Sequence, residues 1–372
     1  MVTYAIDAAT GQLRTSATQT VGDAHTLTGE PQGRYVFAAF GPRGGPPYWD
    51  PSIIAYAPDP RSGSLTTLSE ASSDPIWCRC CSPLGRAGGW YWLSASATRV
   101  YGMWGTTTYH DWYPAYVTHA VDDDGQLGPA YVRDFGEWDY GRVTVDVTSD
   151  VFYKQGETRL TAHFVEPDGS LRQMGASDLC VDSPLGYAEM LVAVGGFLLA
   201  SSPIGPEYPY HHFVCSWEGP RLAPRAKLAL DLGRTDYAVA LSSVDASGAS
   251  SSLAASRPPS LVAMRTSYEV KHGTLYRTKY EVRLFAVRDG DLQPLDTVEV
   301  TPMYVRYLLF HPSGRFLYMS HGLYGGPTED SPDSLTVCSI DAAGHLAAVQ
   351  TLEGGGGAMA VTLPPAGGAP RL

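Results

Sequence analysis

Apolar and polar residues alternate along most of this chain with a period of two, the period of a β-strand with one buried face. Seven segments repeat one pattern, namely an alternating strand, a turn rich in Asp, Gly or Pro, and a second strand that opens with Leu. These segments span residues 2–13, 53–65, 115–127, 160–171, 212–222, 282–292 and 335–346. Such turn residues between alternating strands are typical of β-hairpins. The pattern therefore predicts seven hairpins, and no segment shows sustained helical periodicity.

A second repeating half lies between these hairpins and consists of a buried strand, a short turn and an aromatic-rich strand. Its copies span residues 26–40, 78–96, 143–155, 190–202, 252–267 and 307–321. Four antiparallel strands repeated in a circle make a β-propeller. We predict a single all-β domain over residues 1–372, a seven-bladed propeller of four-stranded blades with an irregular tail at 364–372. The N-terminal hairpin and a lone C-terminal strand at 357–363 would share the closing blade. Chain ends that complete one another favour a closed ring over a linear array of sandwiches.

Composition supports this interpretation and limits the classes of molecule that the protein is expected to bind. Gly (40), Pro (28) and Tyr (23) are abundant and charged residues make up 17%, as expected for many short strands and tight turns. A net charge of −12 argues against nucleic acid or an anionic membrane as partner. No apolar run approaches the about 20 residues of a spanning helix, and the N-terminus lacks a secretory pattern. We therefore expect a cytoplasmic protein with free cysteines and a small-molecule substrate.

Two stretches of the repeat carry a family resemblance. "GRFLYMSH" with "SLTVCSIDAAGHL" (314–346) and "QGRYVFAAF" with "IIAYAPDPRSGSL" (32–65) resemble the seven-bladed lactonase family, which includes 6-phosphogluconolactonase and the fungal 3-carboxy-muconate lactonizing enzyme. In the lactonizing branch, a His and an Arg on neighbouring inner strands and a Glu after a second strand are thought to handle a carboxylate. The resemblance maps these residues to Gly141, Tyr187 and about Pro203, and all three differ. The resemblance thus implies the fold, whereas the differences at these three positions favour a different activity.

Candidate catalytic residues come from the innermost strands, whose starts surround the channel of a propeller. Counting back six residues from the proline of each turn, or its equivalent, gives His25, Trp77, Gly141, Tyr187 and Arg306. His25 could move a proton and Arg306 could hold a carboxylate or a developing enolate. The alternative is that both are solvated channel residues.

The third blade adds polar residues near its predicted mouth, in "EWDYGRVTVD" (137–146). We predict Tyr140, like Tyr187, as a hydrogen-bond donor or acid to a substrate oxygen, and Asp139 and Arg142 as substrate-binding residues. An Asp–Arg pair that ties down the start of a strand is an equally good interpretation.

Five segments after the second strands are predicted as long loops on the same face: 41–51, 103–116, 202–212, 266–280 and 321–333. They concentrate aromatic residues and histidines, and long loops on a rigid scaffold often carry function. From them we predict the substrate-binding residues Tyr109, His110, Trp112, His211 and His321. The adjacent His211 and His212 would face apart on an extended chain and lack a third ligand, so no metal site is predicted. No phosphate-binding or dinucleotide-binding motif is present, so no cofactor is expected.

The stretch "WCRCCSP" (77–83) is predicted to be the innermost strand of the second blade. Period two would place Trp77, Arg79 and Cys81 on one side and the other two cysteines on the opposite side, roughly 7 Å apart. This separation is too long for a disulfide, and no second Cys pair completes a zinc motif. We therefore interpret these cysteines as small buried hydrophobes, and Trp77 and Arg79 as substrate-binding candidates.

Taken together, the residues favour a cofactor-independent enzyme that acts by proton transfer on a small carboxylated or aromatic metabolite, as an isomerase, cyclase or lyase, with a role in secondary metabolism. Two alternatives remain open. One is lactone hydrolysis or lactonization by the family reaction, and the other is a non-enzymatic binding propeller, because fold does not determine function.

Overall fold

The structure is a computed structural model. It describes residues 1–21, 24–30, 32–40, 52–72, 89–107, 112–134, 143–147, 149–156, 159–178, 190–194, 197–203, 212–230, 234–241, 260–272, 275–289, 291–300, 304–311, 313–322, 333–354 and 359–360. Every regular element within these ranges is a β-strand, which confirms the all-β prediction. None of these ranges contains a helix that could cross a bilayer.

The described strands form one two-stranded sheet and six four-stranded antiparallel sheets. The two-stranded sheet pairs β1 (Val2–Ile6) with β2 (Leu13–Thr18). The first three blades are β3 (Ala24–Gly29), β4 (Val36–Phe40), β5 (Ser52–Pro58) and β6 (Leu65–Ser72); β7 (Gly89–Ala95), β8 (Arg99–Thr107), β9 (Trp112–Val121) and β10 (Leu127–Asp134); and β11 (Val143–Asp146), β12 (Val151–Gln155), β13 (Arg159–Val165) and β14 (Leu171–Asp178).

The other three blades follow in the same order along the chain. They are β15 (Met190–Val194), β16 (Phe197–Pro203), β17 (His212–Glu218) and β18 (Ala223–Leu230); β19 (Arg234–Leu241), β20 (Ser260–His272), β21 (Leu275–Arg288) and β22 (Asp291–Glu299); and β23 (Tyr304–Phe310), β24 (Phe316–Gly322), β25 (Ser334–Ile340) and β26 (Leu346–Glu353). The propeller prediction is therefore confirmed, with six complete blades in the described part of the chain.

Successive blades contact one another through their first strands, which line the centre. The strand β3 contacts β7, β11 contacts β15, β15 contacts β19, and β19 contacts β23. Alternate residues of the second and third strands pack against the neighbouring blade, so the core is divided into layers between blades. Phe37 and Ile53 of the first blade, for example, are fully buried with Val100 and Val117 of the second. Period two thus buries both faces of the middle strands, as a propeller requires.

The turn chemistry of the seven hairpins forms as the sequence predicts. In four of them an aspartate opens the turn, and its side chain accepts backbone N–H groups two to four residues later: Asp7, Asp59, Asp122 and Asp341. A glycine with positive φ then closes each of these turns, at Gly11, Gly63, Gly125 and Gly344. Asp caps the turn and Gly adopts the left-handed conformation at no steric cost, so these short segments dictate the hairpins.

The sheet β1–β2 lies between the sixth blade and the first. The backbone N–H of Leu13 in β2 donates to Gln350 Oε1 of β26 at 2.6 Å, and Gln350 Nε2 donates back to the Leu13 carbonyl at 3.0 Å. On the other side, Leu65 N–H donates to Gln19 Oε1 at 3.1 Å. The same contact joins Leu346 N–H to Asp296 Oδ2 between the fifth and sixth blades. The hairpin β1–β2 therefore occupies the place of the outer two strands of a blade.

The predicted position of the innermost strand is wrong in the second blade. The innermost strand of the second blade is β7 (Gly89–Ala95), not the stretch 77–83. We used prolines to locate the turns, but the turn between β7 and β8, at residues 96–98, contains neither Pro nor Gly. Trp77, Arg79 and the three neighbouring cysteines lie outside the described residues, as does the rest of 73–88.

Two segments predicted as loops are mostly strand. β8 and β9 stay paired up to Thr107 and Trp112, so residues 103–107 and 112–116 of the predicted loop are strand, and 108–111 lie outside the described residues. β20 and β21 stay paired from Ser260 with Val287 to His272 with Leu275, so the predicted loop 266–280 is mostly strand. The sequence interpretation took the many polar residues of 266–280 for loop character, although an antiparallel strand with a face toward water is also rich in polar residues.

The expectation of free cysteines holds only in part. Cys338 is a buried free thiol, and burial raises its pKa to about 11, so it is unreactive. Cys215, buried in β17, is disulfide-bonded, which corrects the expectation for that residue.

Candidate functional site

One edge of the propeller is the edge at which first strands begin and second strands end. In the first blade it holds Ala24 and Phe40, and in the sixth blade it holds Tyr304 and Gly322. We call it the upper edge. His25 and Arg306 both lie in first strands at this edge, β3 and β23, as the sequence interpretation expected.

A shift of strand register occurs at both residues. In the first blade Ala24 pairs with Phe40 and Thr26 with Ala39, so β3 has one extra residue, His25. In the sixth blade Val305 pairs with His321 and Tyr307 with Ser320, so the extra residue of β23 is Arg306. Such bulges bend a strand and re-aim a side chain, and they are frequent next to active sites. Two residues distant in the chain thus occupy equivalent special positions.

The second blade has the same bulge, and it identifies a residue that sequence reasoning missed. Trp90 pairs with Trp104 and Trp92 with Met103, so Tyr91 is the extra residue of β7. Tyr91, rather than Trp77, is therefore the second-blade counterpart of His25 and Arg306. A shift also occurs in the fifth blade, between Thr235 and Val239 of β19.

His321, predicted to bind substrate, is the strand partner of Val305 at the upper edge. Its side chain lies on the same face of β24 as Leu317 and Met319, which pack between the fifth and sixth blades. The residue is 4% exposed, and its Nδ1 makes no hydrogen bond to any residue that the structure describes. Burial lowers the pKa of His321 to about 4, because a charged imidazole would lose its hydration there. At neutral pH this histidine is therefore uncharged.

Arg265 of β20 is a second residue that the sequence interpretation missed. It follows Leu261 and Ala263 on the face of β20 that packs against the sixth blade, and it is 1% exposed. Its Nη1 donates to the backbone carbonyl of Val305. The signal was an arginine at an inward position of the alternating strand "LVAMR", hidden because residues 266–280 were interpreted as a loop.

Within the part of the chain that the structure describes, three more buried polar groups at the upper edge have no hydrogen-bond partner: the hydroxyls of Ser52 and Ser320 and the side-chain amide of Gln155. Gln155 is fully buried at the end of β12, and neither its amide oxygen nor its nitrogen has a partner among the described residues. Buried polar groups normally find a partner, so unsatisfied ones mark positions where a ligand or water could bind.

The other candidate residues are not brought together by the described part of the structure. Trp112 is the first residue of β9, opposite Thr107. The remaining candidates lie outside the described residues: Trp77, Arg79, Tyr109, His110, Asp139, Tyr140, Arg142, Tyr187 and His211. Their roles stay predictions. Within the described ranges, no three His, Cys, Asp or Glu side chains come close enough to hold a metal ion.

Comparison with solved structures identifies propellers of similar form. The periplasmic gluconolactonase PpgL of Pseudomonas aeruginosa is 16% identical, with a TM-score of 0.57 over 96% of this chain and 93% of that chain. A protein from Lactobacillus plantarum is 14% identical, with a TM-score of 0.50 over 86% and 82%. A chain of the mitotic checkpoint complex is 14% identical, with a TM-score of 0.52 over 95% and 87%.

At these identities the comparisons bear on the fold alone. No protein-family model matches the chain, and no curated protein matches it by sequence. The likeness to a gluconolactonase agrees with the lactonase resemblance at the level of the propeller. That gluconolactonase is periplasmic, and a disulfide at Cys215 is unusual in a reducing cytosol, so the cytoplasmic location stays a prediction.

Proposed function

We propose that this protein is a cofactor-independent proton-transfer enzyme, an isomerase, cyclase or lyase, that acts on a small carboxylated molecule at the upper edge of the channel. The observation that carries the proposal is the pair of bulges at His25 and Arg306. An imidazole and a guanidinium in equivalent bulges supply a proton acceptor and an anion clamp, the minimum set for removing a proton next to a carboxylate.

In this mechanism Arg306 binds the substrate carboxylate through two parallel N–H···O hydrogen bonds. His25 removes the proton from the adjacent carbon, and the negative charge that develops on the carboxylate oxygens is stabilised by the same guanidinium. The proton then returns to a different atom in an isomerase or cyclase, whereas a lyase expels a leaving group.

The test is the exchange of carbon-bound hydrogen with solvent. The protein is incubated in D2O with a panel of hydroxy, keto and unsaturated carboxylic acids, and NMR monitors deuterium incorporation. We expect H25A and R306A each to slow exchange by about 100-fold or more. The matched controls H345A and R225A replace exposed residues of outer strands and turns and should exchange as wild type does. Unchanged exchange in both H25A and R306A would contradict the proposal.

Lactone hydrolysis is the second candidate, favoured by the likeness to a protein described as a gluconolactonase. It needs no exchange of carbon-bound hydrogen but releases acid, so a pH-stat assay on a lactone panel that includes glucono-1,5-lactone separates the two reactions. A protein that neither exchanges hydrogen nor hydrolyses any lactone would instead be a binding propeller, the role suggested by the presence of one in the mitotic checkpoint complex.

We also propose that the ring closes through a seventh blade with three strands. The outer two strands are β1 and β2, and residues 357–363 would form one further strand on the channel side of β1. Two contacts support this arrangement. Met359 packs with Ile6, Leu13 and Phe316 between β1–β2 and the sixth blade, and Ala360 packs with the buried residues of β4 and β5 in the first blade. Met359 and Ala360 thus lie where a strand inside β1 would run, and the rest of 357–363 lies outside the described residues.

A further inference from the structure

Arg265 is a buried positive charge in the layer between the fifth and sixth blades. At 1% exposure it has lost its hydration, and the residues before it on the same face are Leu261 and Ala263. Burying a guanidinium is costly unless it forms hydrogen bonds. An arginine in such a layer therefore has to offset its cost with a contact that an apolar residue could not make.

One such contact is to the bulge in β23. Arg265 Nη1 donates to the carbonyl of Val305, the last residue before the register shifts. A peptide unit is planar, so the carbonyl of Val305, the N–H of Arg306 and the α-carbon of Arg306 move as one. A charged donor fixed on that carbonyl therefore fixes the orientation of the backbone from which Arg306 projects.

We propose that Arg265 is a positioning residue for Arg306. From the fifth blade, Arg265 fixes the peptide between Val305 and Arg306. The backbone that carries the anion-binding side chain of Arg306 therefore keeps a single conformation. This inference rests on the proposed function, in which Arg306 binds the substrate carboxylate. Arg265 itself is too deeply buried to touch a molecule in the channel, so it acts through the strand and not on the substrate.

Holding the bulge also explains why the contact crosses between blades. A bulge leaves the extra residue without a partner in its own sheet, which weakens the local ladder of hydrogen bonds. Support for the Val305 peptide from β20, in the fifth blade, compensates for this weakness. Arginine suits the task because its planar fork loses less conformational freedom per hydrogen bond than the flexible chain of lysine.

The experiment compares R265M, which replaces the guanidinium with an unbranched apolar side chain, with R265K, which keeps a charged donor. The matched control R283M removes an arginine of the adjacent strand β21 that pairs with Glu281 at 3.2 Å. Hydrogen exchange of peptides covering residues 304–310 reports on the bulge. Titration with benzoate, followed by NMR, reports on carboxylate binding.

We expect R265M to speed exchange in 304–310 selectively and to weaken benzoate binding by about tenfold or more, the loss typical of a hydrogen bond from a charged group. R265K should restore most of both properties, and R283M should resemble wild type. Should R265M not fold, R265Q, which keeps an amide donor, is compared with wild type in the same two measurements.

Three results would overturn the inference: wild-type exchange in 304–310, faster exchange spread evenly over all blades, or R265K as impaired as R265M. Failure of the proposed function gives a different pattern. In that case R306A binds benzoate as tightly as wild type does, or wild type does not bind it, while the exchange of 304–310 still responds to R265M. The two conclusions can therefore fail independently.

Discussion

At the scale of single residues, the buried histidines are the most sensitive to solution conditions. His163, His311 and His321 are each less than a tenth exposed, and burial lowers the pKa of each to about 4. Nearby Arg133 and Lys154 add to the effect at His163, and Arg315 adds to it at His311. The fold therefore keeps these three imidazoles neutral where the unfolded chain would hold them protonated at mildly acidic pH.

This difference predicts a loss of stability on acidification. Below about pH 6.5 the unfolded chain binds a proton at each histidine, whereas the folded protein does not until about pH 4, so the free energy of unfolding falls as the pH drops through this window. Each histidine contributes about 1.4 kcal/mol per pH unit. We expect H311Q to reduce the slope by that amount in urea unfolding between pH 7 and pH 5.

The control for this prediction is S313A. His311 Nδ1 lies 2.7 Å from the hydroxyl of Ser313, so the S313A variant loses this hydrogen bond but keeps the imidazole. It should be less stable than wild type at every pH yet retain the full slope. A slope in H311Q equal to that of wild type would show that protonation of His311 does not limit acid stability.

At the scale of elements, the turn glycines decide how closely blades approach. Gly125 has φ +78°, and a β-carbon there would lie 2.5 Å from Leu68 Cδ1 and 2.8 Å from Tyr35 Cε1 of the first blade. Gly344 likewise meets Leu295 of the fifth blade. These hairpins pack their turn backbones directly onto the preceding blade, which only glycine permits.

We expect G125A to destabilise the protein by about 2–4 kcal/mol, the sum of left-handed strain and overpacking. The matched control is G354A, because Gly354 has φ +82° but nothing within 4 Å of the added carbon. It should show only the strain, about 1–2 kcal/mol. Urea unfolding at neutral pH measures both, and equal losses in the two variants would exclude the packing contribution.

How much the sequence could predict also depends on the element. All seven outer hairpins were predicted, because turns rich in Asp, Gly or Pro between alternating strands are local signals. The second blade was misplaced because the turn after β7 lacks those signals, and Arg265 was missed because the mainly polar residues 266–280 that follow it were interpreted as a loop. The bulges at His25, Tyr91 and Arg306 depend on cross-strand register, which no short stretch of sequence encodes.

At the scale of the whole molecule, one type of hydrogen bond recurs between the outer strands of neighbouring blades. A side chain of one blade accepts the N–H of the leucine that opens the outer strand of the next, as Ser69 does for Leu127 and Asp296 for Leu346. Gln350 and Gln19 continue this pattern through β1–β2. The N-terminal hairpin is thus bound on both sides by the same type of hydrogen bond as the complete blades.

The proposed closure by the C-terminus can be tested by truncation. Removing residues 357–372 takes away Met359, which packs beside Ile6 and Leu13, and should cost at least about 2 kcal/mol of stability. It should also speed hydrogen exchange in residues 2–18 more than in the six complete blades, because β1–β2 would lose its inner neighbour. The matched control removes only 364–372 and should behave as wild type. Equal protection of residues 2–18 in both truncations would mean that the C-terminal strand does not belong to the ring.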